Sequence, residues 1–220
     1  MAFPEHPDGI RLYHFTHIRN LPGIVGAGRI DCDAEAGSHP GERISIAHPH
    51  LKERGARRPV PIPPGGTLAD YARFYFASRS PMLAAIAYGG VEGYRQGQDP
   101  IVYLCSSVGA VMQAGLRWVA TDVHAALALA EFFSDADALQ RKVDWGAMER
   151  KYWRATEEDP SLPERRQAEF LVHRSLPWTL VDEIGVRTAG MKREVEGILG
   201  GVGHRPPVSV RPGWYLEGKP

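Results

Sequence analysis

Apolar and polar residues alternate in short blocks along the chain, and the period switches repeatedly between that of a strand and that of a helix. Ile10-Arg11-Leu12-Tyr13-His14-Phe15 has the β-branched and aromatic content of a strand. Thr16 is placed to cap a helix reaching about Gly28, with Ile18, Leu21, Ile24 and Val25 turned inward. Arg73-Phe74-Tyr75-Phe76-Ala77 predicts a second strand. Ser80-Pro81 then supplies an N-cap and a proline at the first helical position, before Met82-Leu83-Ala84-Ala85-Ile86. Ile101-Val102-Tyr103-Leu104-Cys105 is a nearly continuous apolar run, as in a strand buried on both faces. Thr121-Asp122 predicts the cap of a helix over residues 125–133, and Asp144-Trp145 opens a helix to Tyr152-Trp153. Strands are expected over 169–172 and 183–186, and a last helix over 192–199.

Three stretches break this periodicity with Gly, Pro and charge: residues 31–70, 155–164 and 200–207. The first contains His39-Pro40-Gly41 and Pro61-Ile62-Pro63-Pro64-Gly65-Gly66 and is long for a connection inside one domain, a mark of function or disorder. Ile46, Ala47, His50, Leu51 and Arg54 follow helical spacing within it, so a short helix over about 44–57 is expected. There is no repeat or low-complexity tract. The pattern describes one α+β domain spanning residues 1–220.

Composition narrows the function classes. The 220 residues are 43% hydrophobic and 24% charged, as in a soluble globular chain. No apolar run approaches the roughly 18–20 residues of a membrane span, and the opening Met1-Ala2-Phe3-Pro4-Glu5 does not read as a signal peptide. A cytoplasmic protein without membrane partners is expected. With 26 basic and 26 acidic residues the chain is not a globally basic nucleic-acid binder, although a local basic face remains open. Cys32 and Cys105 cannot build a disulfide framework and read as ordinary thiols. No dinucleotide-binding Gly-x-Gly-x-x-Gly follows a strand, and neither a Walker loop nor a Gly-x-Ser-x-Gly elbow occurs. His14-Phe15-Thr16-His17 and His48-Pro49-His50 lack metal-ligand spacing, so no metal is expected.

Three segments place polar groups at the end of an apolar strand: Tyr13-His14-Phe15-Thr16, Phe74-Tyr75-Phe76-Ala77-Ser78-Arg79-Ser80 and Gln167-Ala168-Glu169-Phe170-Leu171-Val172. Glu169 is the sharpest single residue. A carboxylate at the start of a buried strand costs several kcal/mol unless it is paired or open to a cleft. A plain ion pair with Arg165, Arg166 or Arg174 is the alternative, and Tyr75 taken alone reads as a core aromatic.

A His on one strand, a Tyr in a strand ending Tyr-Phe-Ala, and a late Glu together resemble the His–Tyr–Glu arrangement of diphtheria-toxin-like and poly(ADP-ribose)-polymerase-like ADP-ribosyltransferases. The fuller set is more specific. The segment from Tyr13-His14-Phe15-Thr16-His17 to Leu21-Pro22-Gly23-Ile24, Phe74 through Leu83, Thr121-Asp122, Arg166 through Val172, and Gly213-Trp214-Tyr215 resembles the DarT family in order along nearly the whole chain. Those proteins are bacterial toxins that ADP-ribosylate thymidine in single-stranded DNA, and their usual partner is the macrodomain antitoxin DarG.

The resemblance implies a split antiparallel sheet with flanking helices, NAD⁺ as substrate, no metal, and a monomer. It places Tyr13, His14, Phe15, Thr16, Asn20, Leu21 and Gly23 on the cofactor side, with His14 on the adenosine-side ribose. Tyr75 would stack on the nicotinamide ring, with Arg79 and Ser80 beside it. Glu169 would hold the nicotinamide-ribose hydroxyl and stabilise the cationic centre that forms as nicotinamide leaves. On the DNA side stand His48, His50, Lys52, Arg57 and Arg58 of the basic loop, with Trp145, Trp153 and Arg166 in or beside a substrate-recognition region over 135–167. One position departs from the family. An arginine that activates or orients thymine is expected after Leu51-Lys52-Glu53, where this chain has Gly55, flanked by Arg54 and, two residues on, Arg57. Substitution by Arg54 or Arg57, and an attenuated enzyme, are both open. So are another acceptor on the same scaffold (protein, RNA or water) and a non-catalytic nucleotide-binding module.

Overall fold

The computed structural model describes residues 9–36, 43–47 and 49–217 and, for residues 49–52, the backbone alone. Among these, ten strands follow one another as β1 (Arg11–His17), β2 (Arg29–Asp31), β3 (Tyr71–Tyr75), β4 (Ile101–Ser107), β5 (Trp118–Thr121), β6 (Phe132–Phe133), β7 (Glu169–His173), β8 (Ser175–Pro177), β9 (Glu183–Val186) and β10 (Val208–Val210). The α-helices are α1 (Leu21–Ala27), α2 (Asp33–Ala36), α3 (Pro49–Arg57), α4 (Pro81–Ala87), α5 (Val108–Gln113), α6 (Ala136–Lys142), α7 (Trp145–Glu149), α8 (Leu162–Arg165) and α9 (Ala189–Ile198). None is long and apolar enough to cross a membrane.

Eight strands form one sheet in the order β10-β9-β4-β1-β3-β7-β5-β6, antiparallel except where β10 lies beside β9, while β2 and β8 make a separate ribbon. Strand β1 is zipped to β4 along its whole length, from Arg11↔Ser107 to His17↔Ile101. To β3 it is joined by a single registered pair, Tyr13↔Tyr75. Strand β3 then pairs fully with β7, from Tyr71↔His173 to Tyr75↔Glu169. The sheet is therefore split between β1 and β3, the α+β architecture that the sequence motifs imply.

Strand β4 shows why the sheet is buried on both sides. Val102 and Leu104 enter one core with Leu12, Phe74 and Phe170, while Ile101, Tyr103 and Cys105 enter the opposite one with Phe15, Leu83 and Ile86. The second core is closed by the C-terminal segment. The Tyr215 hydroxyl sits 2.8 Å from the carbonyl oxygen of Ile101 and 3.2 Å from that of Gly185, and the Trp214 indole lies where a Cβ on Gly185 would be. Gly213-Trp214-Tyr215 thus serves the fold.

Local signals hold at several ends. The Ser80 hydroxyl accepts from the Leu83 N–H at 3.2 Å to start α4, Asp144 accepts from Ala147 at 2.9 Å to start α7, and Gly28, at φ +67°, ends α1. Others shift. Thr16 belongs to β1, and a 3-10 turn over Ile18–Asn20 precedes α1. Helix α7 stops at Glu149. Residues 125–133 are not a helix but turns leading into β6, and β5 precedes them. Both cysteines are buried and free, and burial pushes the Cys105 thiol up to about 12.

Candidate active site in the split of the sheet

Where β1 and β3 part, side chains take over from the backbone ladder. His14 Nδ1 lies 2.9 Å from the carbonyl oxygen of Arg73. A carbonyl only accepts, so Nδ1 carries the proton and the other ring nitrogen is left as an acceptor. Burial pushes the imidazole down to about 4 from its ordinary 6.5; the bond to Arg73 opposes this, and the charge of Arg43 reinforces it. His14 is neutral at pH 7.

Tyr75 ends β3 directly opposite Glu169, which starts β7. Directly opposed residues share a face of the sheet. The Tyr75 ring lies parallel to Phe15 with centroids 5.6 Å apart. Burial and then the neighbouring Glu169 raise its hydroxyl pKa, so it stays protonated. Glu169 is 1% exposed. Its Oε2 accepts from the Ala125 N–H at 2.7 Å, and its own N–H donates to the Thr121 hydroxyl at 3.3 Å. The three candidate arginines are engaged elsewhere: Arg165 with Asp144 and Asp159, Arg174 with Glu35 and Asp70, and Arg166 with backbone carbonyls. The ion-pair alternative for Glu169 is not what the fold builds.

Side chains also bind the backbone of residues 125–133, which form turns and β6 where a helix is expected. The N–H of Ala125 goes to Glu169, that of Ala126 to His124 Nδ1 at 3.2 Å, and that of Glu131 to Asp122 at 2.9 Å. The first two of these donors would be free in the first turn of any helix, but the Glu131 N–H is one that a helix over 125–133 would use, and Asp122 takes it instead. Arg58 braces this loop from outside, 3.3 Å from the Ala126 carbonyl oxygen and 3.5 Å from that of Ala128, with its guanidinium 5.5 Å from the Phe132 ring centre. Expected at phosphates, Arg58 is instead bound to the loop that holds the carboxylate.

Two cavities meet at His14 and Asn20. The larger, about 520 Å³, runs past Gly23, Ile24, Asp31 and Arg43. The smaller, about 160 Å³, reaches Tyr75, Arg73, Met82, His124 and Glu169. An elongated ligand fits such a shape. Among the described residues no three His, Cys, Asp or Glu side chains cluster as metal ligands.

The remaining cofactor-side residues divide by what they touch. Asn20 donates to Thr16 Oγ1 at 3.0 Å and to the Ile44 carbonyl at 2.9 Å, and accepts from the Ile44 N–H at 2.9 Å. Asn20 and Thr16 are both buried and hold residues 43–47 as a wall of the cleft. Gly23 offers bare backbone to the larger cavity. Three further side chains are turned away from the cleft. Leu21 is fully buried in the core, so its side chain cannot meet a ligand. Ser80 is 1% exposed with its hydroxyl capping α4. Tyr13 packs edge-on against Trp214 and Tyr103, centroids 5.2 and 6.3 Å apart, and belongs to the C-terminal core. Arg79 Nε donates to the Gly213 carbonyl at 2.9 Å.

On the DNA side, Arg166 is turned inward. It is 4% exposed, its guanidinium donates to the carbonyls of Arg79, Ala147 and Met148, and burial lowers its pKa to about 10. It staples the β3–α4 turn to α7. Trp145 packs edge-on to Phe76 at 5.3 Å and donates to the Gln140 carbonyl. Trp153 is half-buried on the core. His48 and the side chains of His50 and Lys52 lie outside the described residues. Arg54 and Arg57 are exposed, whereas Gly55 is buried. Sequence reasoning passed over Arg73 and His124. The period-two rule was the available signal for Arg73, since two residues before Tyr75 means the same face.

Residues 13–216 match the family model described as ssDNA thymidine ADP-ribosyltransferase, DarT. The chain belongs to the DarT family. It is 43% identical over 212 residues to the DNA ADP-ribosyl transferase of Thermus sp. (strain 2.9), covering 96% of this chain and 98% of that protein. Thermus sp. 2.9 DarT in complex with ADP-ribosylated ssDNA superposes with a TM-score of 0.89 at 43% identity, over 98% of this chain and 100% of that one. The complex of the same DarT with NAD⁺ superposes with a TM-score of 0.84 at 42% identity, again over 98% and 100%. The split sheet described above is thus the DarT ADP-ribosyltransferase fold.

Proposed function

We propose that this DarT-family chain transfers ADP-ribose from NAD⁺ to a thymine base in single-stranded DNA and releases nicotinamide. The carrying observation is Glu169: a buried carboxylate without a basic partner among the described residues, oriented by the Ala125 N–H and facing the cleft beside Tyr75. An unpaired buried carboxylate is costly to fold, and it is useful where positive charge develops during reaction.

Each group then has a task. The larger cavity takes the adenosine half, with the unprotonated nitrogen of neutral His14 accepting from a ribose hydroxyl. Tyr75, held flat by Phe15, offers a ring face to nicotinamide. Glu169 accepts from the nicotinamide-ribose hydroxyl and lowers the energy of the cationic sugar as the bond to nicotinamide breaks. The thymine ring nitrogen forms the new bond to that carbon, and its proton leaves to solvent. The cytoplasm is the proposed setting, the monomer the working unit, and a DarG-type macrodomain antitoxin the proposed partner.

The test incubates the protein and its Glu169→Ala variant with NAD⁺ and mixed-sequence single-stranded oligonucleotides, read by mass spectrometry. A Glu169-dependent ADP-ribose adduct on thymine, absent from duplex DNA, is expected. Adducts on protein, RNA or water in place of thymine would refute the acceptor. An unchanged yield with Glu169→Ala would refute the role of the carboxylate.

A further inference from the structure

Gly55 sits inside α3, where glycine is the least favourable residue other than proline. Its φ is not positive, so the backbone does not require it. What lies against it is the end of the Arg73 side chain. A Cβ on Gly55 would lie 2.6 Å from Nη2 of Arg73, 3.5 Å from Cζ and 3.7 Å from Nη1. The guanidinium occupies the space that a side chain at position 55 would enter first.

Arg73 is well placed for chemistry. It is the third residue of β3, registered with Leu171, and it shares a sheet face with Tyr75 and Glu169. It lines the smaller cavity together with both. Its carbonyl is the one that His14 bridges across the split, so the arm starts from a fixed point. The guanidinium forms no ion pair among the described residues, and its Nε is buried without a hydrogen-bond partner. A structural arginine in a protein interior ordinarily has its donors taken, as Arg166 has here.

From this geometry we infer that Arg73, reaching in from β3, is the cation that meets the acceptor base, and that Gly55 is small so that Arg73 can lie there. The inference rests on the thymine-transfer reading above. In that reaction the bond from nicotinamide nitrogen to the ribose carbon breaks, and nicotinamide leaves with the electron pair. The bond from the thymine ring nitrogen to that carbon forms, and the ring-nitrogen proton is released to water. As the nitrogen gives up its proton, negative charge spreads onto the two flanking carbonyl oxygens. The forked donors of a guanidinium match a planar, delocalised anion and remain charged throughout. The position expected to carry the family arginine is therefore not vacant in function. The guanidinium comes to that space from a neighbouring strand, and Arg54 and Arg57 are not needed for it.

The experiment measures single-turnover adduct formation at saturating NAD⁺, with NAD⁺ affinity and melting temperature alongside. Arg73→Ala is expected to lose roughly 100–1,000-fold in rate, the usual cost of one preorganised donor to a developing anion, while NAD⁺ affinity and melting hold. Arg73→Lys, a point charge without the fork, should recover part of the rate. Gly55→Ala removes no charge and suits a helix better, yet it should also slow transfer because its Cβ displaces the guanidinium. Gly55→Arg combined with Arg73→Ala should restore transfer by supplying the arginine from α3. Full activity in Arg73→Ala, or an inactive parent protein beside an active double variant, would overturn the inference. If no protein labels the oligonucleotide, the double variant included, the thymine-transfer reading fails and takes this one with it. Labelling by the parent alongside Arg73→Ala leaves that reading intact and removes only Arg73.

Discussion

Lowering the pH from 7 to 5 should destabilise this protein through His14 in particular. The imidazole titrates near 4 in the folded protein against an ordinary 6.5, because burial between the half-sheets disfavours its cation. Between those values the unfolded chain binds a proton that the folded one refuses, so stability increases with pH across this window. The contribution is fully present above pH 6.5, declines as pH falls toward 4, and is constant below. At full protonation the loss is 1.36 kcal/mol for each pH unit between the two values, about 3.4 kcal/mol; at pH 5 about 2 kcal/mol of it has already been incurred. The groups that modulate it are Arg43, which pushes the same way, and Asp33, which opposes. Urea unfolding of the parent and of His14→Asn, at pH 7 and pH 5, isolates the effect. The asparagine amide keeps a donor for the Arg73 carbonyl and does not titrate. The parent should lose about 2 kcal/mol more than the variant across that interval. Equal losses would refute the argument, because all other titrating groups are common to both proteins.

Two further substitutions probe what the side chains hold. Asn20→Ala deletes three hydrogen bonds, at about 1 kcal/mol each, so calorimetry should show a melting temperature lower by roughly 5–10 °C. Isothermal titration should show weaker NAD⁺ binding as residues 43–47 lose their anchor. Arg166→Met strips the donors from two buried carbonyls and one part-buried one and should cost about 3 kcal/mol. The salt dependence of single-strand binding should not change; a slope shallower by about 1 would return Arg166 to the phosphates.

Strands announced themselves in the sequence wherever burial was two-sided. The run from Ile101 to Cys105 is apolar at every position because both faces of β4 are covered, and β9 is found at the predicted 183–186. His14, Tyr75 and Glu169 were legible because each is a polar group set in an apolar strand, Tyr75 and Glu169 at strand ends and His14 within β1, and the fold brings all three to one cleft. The alanine-rich stretch after Asp122 misleads, since its composition favours a helix while its start is tied to Glu169, forty-four residues on, and the Glu131 N–H goes to Asp122. Leu21, Ser80 and Arg166 lie in segments that share the family pattern, but their side chains serve packing, capping and stapling. A motif records that a residue is near the cleft, not which way it points. The relation of Gly55 to Arg73 is eighteen positions long and visible only once α3 lies against β3.

The order of strands in the sheet also sets when the cleft can come into being. Strand β1 leaves the ribosome first, yet its partners are β4, about ninety residues later, and β3. Glu169 waits on β7, and the core beneath Tyr13 and Phe15 is sealed by Trp214 and Tyr215. With almost every pairing non-local, a nascent chain has little it can complete early. The groups that would handle NAD⁺ are synthesised well before the residues that lock them together, so a partly made chain carries the side chains of the site without the site. For a chain proposed to modify single-stranded DNA, such a fold assembles the site only once translation has passed residue 215.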